Sequence, residues 1–203
     1  MLIDLHCHSN VHSGCSSLAP DELVRLARAA GLDGICLTEH DRSWSEAEVR
    51  ALSAEHEFVV LRGMEVTTEL GHVLVFGLGA PTVDMYFAAS LRRRVLEADG
   101  LMLLAHPARP GQPAVDLAVH AALFDGVEGL NGSDTAAQNA AATRLGAALS
   151  LPPVGGSDCH SPREVGVAAT RLLRPVTTER ELIAELRRGR HAAVALRHGG
   201  APK

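Results

Sequence analysis

The sequence predicts an α/β fold, a parallel sheet closed on itself as a barrel, on three observations. Short apolar runs alternate with amphipathic stretches of helical period, the rhythm of repeated strand–helix–strand units. Polar residues able to do chemistry recur at the C-terminal ends of those strands, where α/β barrels carry their sites. The length of 203 residues and an apolar fraction of 46% suit one domain, 1–203, with a sizeable core. Aromatic residues make up only 3%, so that core is built mainly from Leu, Val and Ala.

The elements follow in order. "LIDLHC" at the start reads as a short buried strand. A helix then opens at Pro20, with Asp21 and Glu22 in its first turn, where acids meet the positive end of the helix dipole. Leu23, Leu26, Ala27 and Ala30 supply its apolar face, and Gly31 stops it. "GICLTEH" is the next strand, "SEAEVRALSAEH" a helix, and "FVVLRGMEV" and "HVLVFGL" are strands. The stretch from Val83 to Gly100 is mostly helical, and "LMLLAHP" is a strand closed by Pro107. "GVEGLN" is a strand, "TAAQNAAATRLGAALS" a helix, and "PPVGGSD" a strand entering a turn. Thr178 and Glu181 form a capping box for the helix "ERELIAELRRG", and "AAVAL" is a last strand.

Composition narrows the function. A formal net charge of −5 argues against long nucleic acid or an anionic membrane surface as the main partner. The basic runs Arg92–Arg94 and Arg187, Arg188, Arg190 fall on expected helices and read as solvated faces. The four cysteines, Cys7, Cys15, Cys36 and Cys159, show no CxxC spacing, and no secretory signal precedes the first strand, so a reducing cytoplasm is the expected setting. No apolar run approaches the roughly 18–20 residues of a membrane helix.

The strand ends carry the pattern that points to chemistry. They hold His6 and His8, then Glu39–Asp41 in "TEHD", then Glu65 in "GMEV", His72, His106 in "AHP", and Asp158 and His160 in "SDCH". A single histidine at a strand end is ordinarily a hydrogen-bonded structural residue, and a lone Glu65 an ion-pair partner. The conjunction argues otherwise. His6/His8 and Asp158/His160 are i, i+2 pairs, which on an extended segment aim two groups the same way. So many imidazoles and carboxylates converging on one barrel mouth need cations, because buried polar groups need partners. Nitrogen and oxygen donors without thiolates suit Zn, Mn or Fe. Cys7 and Cys159, the middle residues of the pairs, face away and read as core fillers, and Cys15 as a bystander in the loop near His12.

"DLHCHS", "LTEHD", "GMEVTT", "AHPAR" and "GSDCHSPREVG" resemble, in order and spacing, the motifs of the PHP (polymerase and histidinol phosphatase) family, from Asp4 to about Gly189. The resemblance implies a distorted seven-stranded (β/α)7 TIM-like barrel with two to three divalent metal ions at its mouth, and phosphoester hydrolysis of the short stand-alone type. It implies that His6 and His8 hold one metal with Glu65 and Asp158. Glu65 would bridge to a second metal held by His72 and His106, and His40 and His160 would hold a third. Glu65, Asp158 and His160 are the expected catalytic residues. Arg109 and Asn131 match positions near the substrate, with Arg163 and Arg42 further candidates for a phosphate contact. Many members carry an Asp about five residues after the second His, where this chain has Ser13; His12 is the expected substitute ligand.

Clustered divalent ions would lower the pKa of a shared water toward ~7 and neutralise phosphoryl oxygens, and an arginine fork matches phosphate. Asp4 and Glu39 could orient imidazoles, and Asp41 could do so or meet the leaving group. The leading expectation is a metal-dependent phosphoesterase acting on a small phosphorylated metabolite or nucleotide. Rivals are a 3′–5′ exonuclease or oligonucleotide phosphatase, a non-catalytic metal-binding partner module, and a hydrolase of carboxamides or lactones. The acidic balance and scarce aromatics weigh against strand binding, which favours basic grooves with stacking rings.

Overall fold

A computed structural model describes residues 1–113 and 116–196. Its elements are β1 (Leu2–Cys7), α1 (Pro20–Ala29), β2 (Gly34–Leu37), α2 (Glu46–His56), β3 (Val59–Arg62), β4 (Met64–Thr68), β5 (Gly71–Phe76) and α3 (Ala88–Glu97). There follow β6 (Leu101–Leu104), α4 (Leu117–His120), β7 (Gly126–Asn131), α5 (Ala136–Leu149), β8 (Pro153–Gly156), β9 (Ala168–Leu172), α6 (Glu179–Arg187) and β10 (His191–Ala195). Local chemistry sets the helix starts. Pro stands at the first position of α1, and Ser45, Thr135 and Thr178 close capping boxes on Glu48, Gln138 and Glu181.

The strands pair as two five-stranded sheets, β10-β9-β1-β2-β3 and β4-β5-β6-β7-β8, not as one closed parallel ladder. Pairing is parallel along β1-β2-β3 and β6-β7-β8, as the strand–helix rhythm predicts. It is antiparallel for β4-β5, β5-β6, β1-β9 and β9-β10. The reason for β4-β5 is length. Thr68 pairs with Gly71, which leaves a hairpin far too short for a crossover helix. Gly71 takes φ 112 there, open to glycine at no steric cost, and the Thr68 hydroxyl donates to its carbonyl at 2.6 Å. β9 was not expected, and the helix expected over 83–100 occupies only 88–97.

The two sheets meet at the level of the polar strand ends. Asp158 N donates to His6 O at 2.7 Å and His8 N to Cys159 O at 3.2 Å. On the other side Glu65 N donates to Glu39 O at 3.0 Å and Asp41 N to Glu65 O at 2.9 Å. One apolar cluster joins Ile3, Leu5, Leu74, Phe76, Leu103 and Val154 to Leu182, Ile183 and Leu186 of α6. Glu179, the first residue of α6, accepts from Gly77 N at the end of β5 opposite His72, so α6 packs at the far end from the histidines. Cys7 and Cys159 bridge each other in a second cluster with Leu18, Leu23 and Trp44, as their alternation with the histidines requires.

β8 lies close to β1 at Gly156, where an added Cβ would stand 2.5 Å from His6 Cβ and 2.9 Å from His6 N. Gly156→Ala is therefore expected to lower stability by about 1–3 kcal/mol, the cost of overpacking a filled core. Urea denaturation of the metal-stripped protein with an unchanged midpoint would show that the two strands are free to separate.

Candidate metal centre

His6 and His8 leave the end of β1 beside each other, with ring centroids 5.0 Å apart. His6 Nε2 stands 3.3 Å from Glu65 Oε2 and 3.4 Å from Asp158 Oδ1; His8 Nε2 stands 3.3 Å from each of the same two oxygens. His6 Nε2 and His8 Nε2 are buried and have no hydrogen-bond partner among the described residues. Donor atoms around a tetrahedral ion with bonds of about 2.0–2.2 Å stand roughly 3.3–3.6 Å apart. The four spacings fall in that interval, so these residues fit a divalent cation at their centre.

Glu65 faces a second group with its other oxygen: His72 Nδ1 and His106 Nε2 each lie 2.8 Å from Oε1. His40 Nδ1 lies 2.8 Å from Oε2. His8, His40 and His160 form a third group, His8 stacking on each of the other two at 4.4 Å between centroids. His6, His8 and His106 are buried, whereas the His40, His72 and His160 side chains are about a third exposed or less, so this second set lines the open side. His106 (φ 27), Asp41 (φ 52) and Asp158 (φ 53) adopt left-handed backbone at the strand ends, a strained conformation for these residues that re-aims the chain into the mouth.

Glu128, which the sequence reading missed, supports the centre from behind. Its Oε1 is 3.0 Å from His6 Nδ1, while Oε2 accepts from His106 N at 3.0 Å and from Asn131 Nδ2 at 2.9 Å. An acid in the middle of the apolar run "GVEGLN" was the available signal, because a buried carboxylate demands partners.

Several expected residues sit elsewhere. His12 belongs to none of these groups; its ring packs edge-on against Trp44 with centroids 5.0 Å apart. Glu39 accounts for this by binding the Ser9 and Ser13 hydroxyls at 2.5 Å each and Trp44 Nε1 at 2.9 Å, which turns Ser13 inward. Glu39 thus holds the loop and makes no direct contact with an imidazole. Asp4 likewise accepts from the backbone of His6 and Ser157, and Asp41 from Thr67 N and Oγ1. Asn131 is fully buried, its amide joining Glu128, Asp158 and Arg109, so it is a strut within the wall and not a free contact. Arg163 and Arg42 are exposed. Arg109 lies at the lip, its Nε on Asp134 Oδ1 at 2.8 Å and its Nη2 on Asp158 Oδ2 at 2.7 Å. A cavity of about 320 Å³ opens against His72, His106 and Arg109, walled by Thr67, Thr68, Gly71 and residues 110–113.

The charges follow from this packing. Burial pulls the His6 pKa down, yet Asp158, Glu128 and Glu65 outweigh it and hold it well above the ordinary value. His8 is likewise raised by Asp158 and Glu65 against the pull of burial, and His72 by its hydrogen bond to Glu65. Burial pushes Glu65 and Asp158 up, but their imidazole neighbours win, and both lie below the usual carboxylate range. Burial lowers His160, helped by His8, and lowers His191. Burial raises Asp4 to about 6.

A family model for the PHP domain matches residues 4–141, and a PHP-associated model matches 136–191. The chain belongs to the PHP domain family. This PHP domain is 35% identical over 92 residues to a 3′,5′-nucleoside bisphosphate phosphatase of Chromobacterium violaceum, a match over 44% of the chain and 32% of that relative. The chain thus aligns with about a third of the length of the curated relative. Among solved structures it resembles a two-domain protein of Bacteroides vulgatus containing a predicted PHP-like metal-dependent phosphoesterase (TM-score 0.70, 20% identity, 97% of this chain and 65% of that one). It also resembles PsfC of Pseudomonas syringae (TM-score 0.70, 20% identity, 96% and 91%). A complex of endonuclease Q with an abasic-site duplex superposes at TM-score 0.64 and 18% identity, over 93% of this chain and 56% of that one. At these identities the structural likeness establishes a shared α/β fold. Among the described residues no helix is long and apolar enough to cross a membrane.

The metal-stripped domain should be most stable in mild acid. His6, His8 and His72, raised in the fold, contribute stability that is fully present below about 6.5 and lost as pH rises through their folded values. Asp4 acts in the same direction through about 6, and Glu65 and Asp158 stay ionised throughout. The lowered His160 and His191 oppose this with fewer groups. Melting in chelator is expected to fall as pH rises above about 6.5, and melting with added metal to rise, because ligands must be unprotonated to bind. Parallel slopes in the two series would mean that protons and cations do not share this site.

Proposed function

We propose that this PHP domain is a metal-dependent phosphoesterase that hydrolyses a small phosphorylated metabolite or nucleotide. The observation that carries the reading is the pair of buried, unpartnered nitrogens His6 Nε2 and His8 Nε2, facing Glu65 and Asp158 beside an arginine at the open side. His6, His8, Glu65 and Asp158 would hold one ion and Glu65, His72 and His106 another, with Zn, Mn or Fe matching the donor set. Divalent ions there supply charge neutralisation and make water more acidic.

The chain's own residues provide the rest. Glu65 fixes the spacing of the two groups by offering one oxygen to each. Asp134 and Asp158 hold Arg109 in place, and its guanidinium faces the cavity with donor capacity left for a phosphoryl oxygen. His160 turns Nδ1 to the main-chain carbonyl of Asp158 at 3.0 Å, which leaves Nε2 to accept a proton on the open side. Its lowered pKa, from burial first, keeps it neutral for that role.

The same proposal covers the fold. With β3 and β4 taken as one strand broken at Gly63, β1–β8 supply the seven strands of a distorted (β/α)7 barrel, joined where His6 meets Asp158 and Glu39 meets Glu65. The net charge of −5 and a cavity of about 320 Å³ favour a small substrate over a nucleic-acid strand. The four free cysteines agree with a reducing cytoplasm.

Purified protein with Mn or Zn should hydrolyse members of a panel of phosphomonoesters in preference to oligonucleotides, and chelation should abolish the activity. Turnover of oligonucleotides alone would move the substrate class to nucleic acid. Glu65→Gln should lower kcat roughly 10²-fold or more while the fold persists, comparable to losing a major electrostatic contribution. Arg109→Ala should raise KM and weaken inhibition by inorganic phosphate with metal content unchanged; undiminished inhibition would place the phosphate contact elsewhere.

A further inference from the structure

Ser13 stands where the third group of histidines meets the first, and its hydroxyl has three neighbours. It lies 2.5 Å from Glu39 Oε2, 3.3 Å from His8 Nδ1 and 3.3 Å from His40 N. A carboxylate only accepts, so the single hydroxyl proton goes to Glu39. Glu39 is committed as an acceptor on its other side too, by Ser9 Oγ at 2.5 Å and Trp44 Nε1 at 2.9 Å. Toward His8 and His40 the serine oxygen is then an acceptor. His40 donates its backbone N–H, so His8 must donate from Nδ1. A neutral imidazole with its proton on Nδ1 carries its lone pair on Nε2, the atom 3.3 Å from Glu65 Oε2 and Asp158 Oδ1.

We infer that Glu39 acts through Ser13 to fix the tautomer of His8, and that this relay limits the centre to two tightly held ions. Ser13 and Glu39 are positioning residues in this scheme. The inference rests on the metal-centre reading above and adds its stoichiometry. With Nδ1 bound to Ser13 and Nε2 turned to the first group, His8 has no nitrogen left for the third. His40 and His160 remain there as the imidazole donors, and neither the inward Ser13 nor the outward His12 adds a carboxylate. Two imidazoles fall short of the three or four protein ligands that hold an ion firmly. His6 has the parallel arrangement, with Glu128 on Nδ1 directly; at His8 the carboxylate stands one hydroxyl further away.

The test is metal content after reconstitution and dialysis, read beside long-range ¹H–¹⁵N histidine spectra of the zinc-loaded protein. The wild type should retain two ions per chain and show His8 protonated at Nδ1. Glu39→Gln places an amide donor opposite Ser13, freeing the serine proton for His8 Nδ1. It should switch the tautomer and weaken binding of one ion about 10- to 100-fold, the usual effect of losing a residue that orients a ligand. Ser13→Ala should weaken the same ion, and Ser13→Thr should restore it, which a role in shape alone would not produce. Ser13→Asp should add a third ion by supplying the missing carboxylate. Three ions in the wild type, or His8 protonated at Nε2, would overturn the inference while leaving the metal centre standing; so would unchanged affinity in both Glu39→Gln and Ser13→Ala. A wild type that retains no metal would overturn the metal-centre reading itself. Should Ser13→Asp fail to fold, the Ser13→Ala and Ser13→Thr pair decides.

Discussion

Glu65 is 1% exposed, and its two oxygens lie within 3.3 Å of five imidazoles, those of His6, His8, His40, His72 and His106. A carboxylate taken this far from water needs positive charge or several donors. Protons on the histidines can supply that charge, and so can cations. This competition sets much of the molecule's behaviour. It raises His6, His8 and His72, lowers Glu65 and Asp158, and ties stability to whichever positive species is present. The arrangement also explains why the two sheets meet where they do. The backbone of Glu65 pairs with Glu39 and Asp41 across one join, and that of Asp158 pairs with His6 across the other.

Around this centre, acid and imidazole alternate outward. Glu128 holds the Nδ1 side of His6 and the backbone of His106; Glu39 reaches His8 through Ser13; the main-chain carbonyl of Asp158 takes His160 Nδ1. Each of these turns one ring nitrogen outward and leaves the other for the centre. Asn131 and Arg109 close the circuit by neutralising the outer oxygen of Asp158. Such a network is stiff because every member is fixed from two sides.

Much of this was legible in the chain, for reasons particular to each element. The i, i+2 alternation along β1 gave the direction of His6 and His8, whereas Asp158 and His160 reach the site through a left-handed turn at Asp158 that alternation does not describe. The same alternation put Cys7 in the apolar layer. Helix starts were legible because capping is local. What depends on distant neighbours was not. The antiparallel β5 follows from a hairpin whose shortness only the pairing reveals. His12 was the expected substitute ligand because it adjoins Ser13, where the family resemblance places an Asp, but Glu39, thirty residues from Ser9, decides which side of that loop turns in. Asn131 matched a position near the substrate, and its burial among Glu128, Asp158 and Arg109 makes it part of the wall.

The backbone strain at the mouth belongs to the same account. His106, Asp41 and Asp158 hold left-handed conformations that cost about 1–3 kcal/mol each in ordinary residues. Each is restrained by bonds to the opposite wall: His106 N to Glu128, Asp41 N to Glu65 O, Asp158 N to His6 O. The strain and the carboxylate burial therefore depend on each other. Releasing Asp158 from its turn would free the backbone and at the same time leave His6 and His8 facing one acid where two now stand. A site assembled this way resists gradual loosening. It holds its donors in place before any cation arrives, which reduces the ordering that binding would otherwise have to supply.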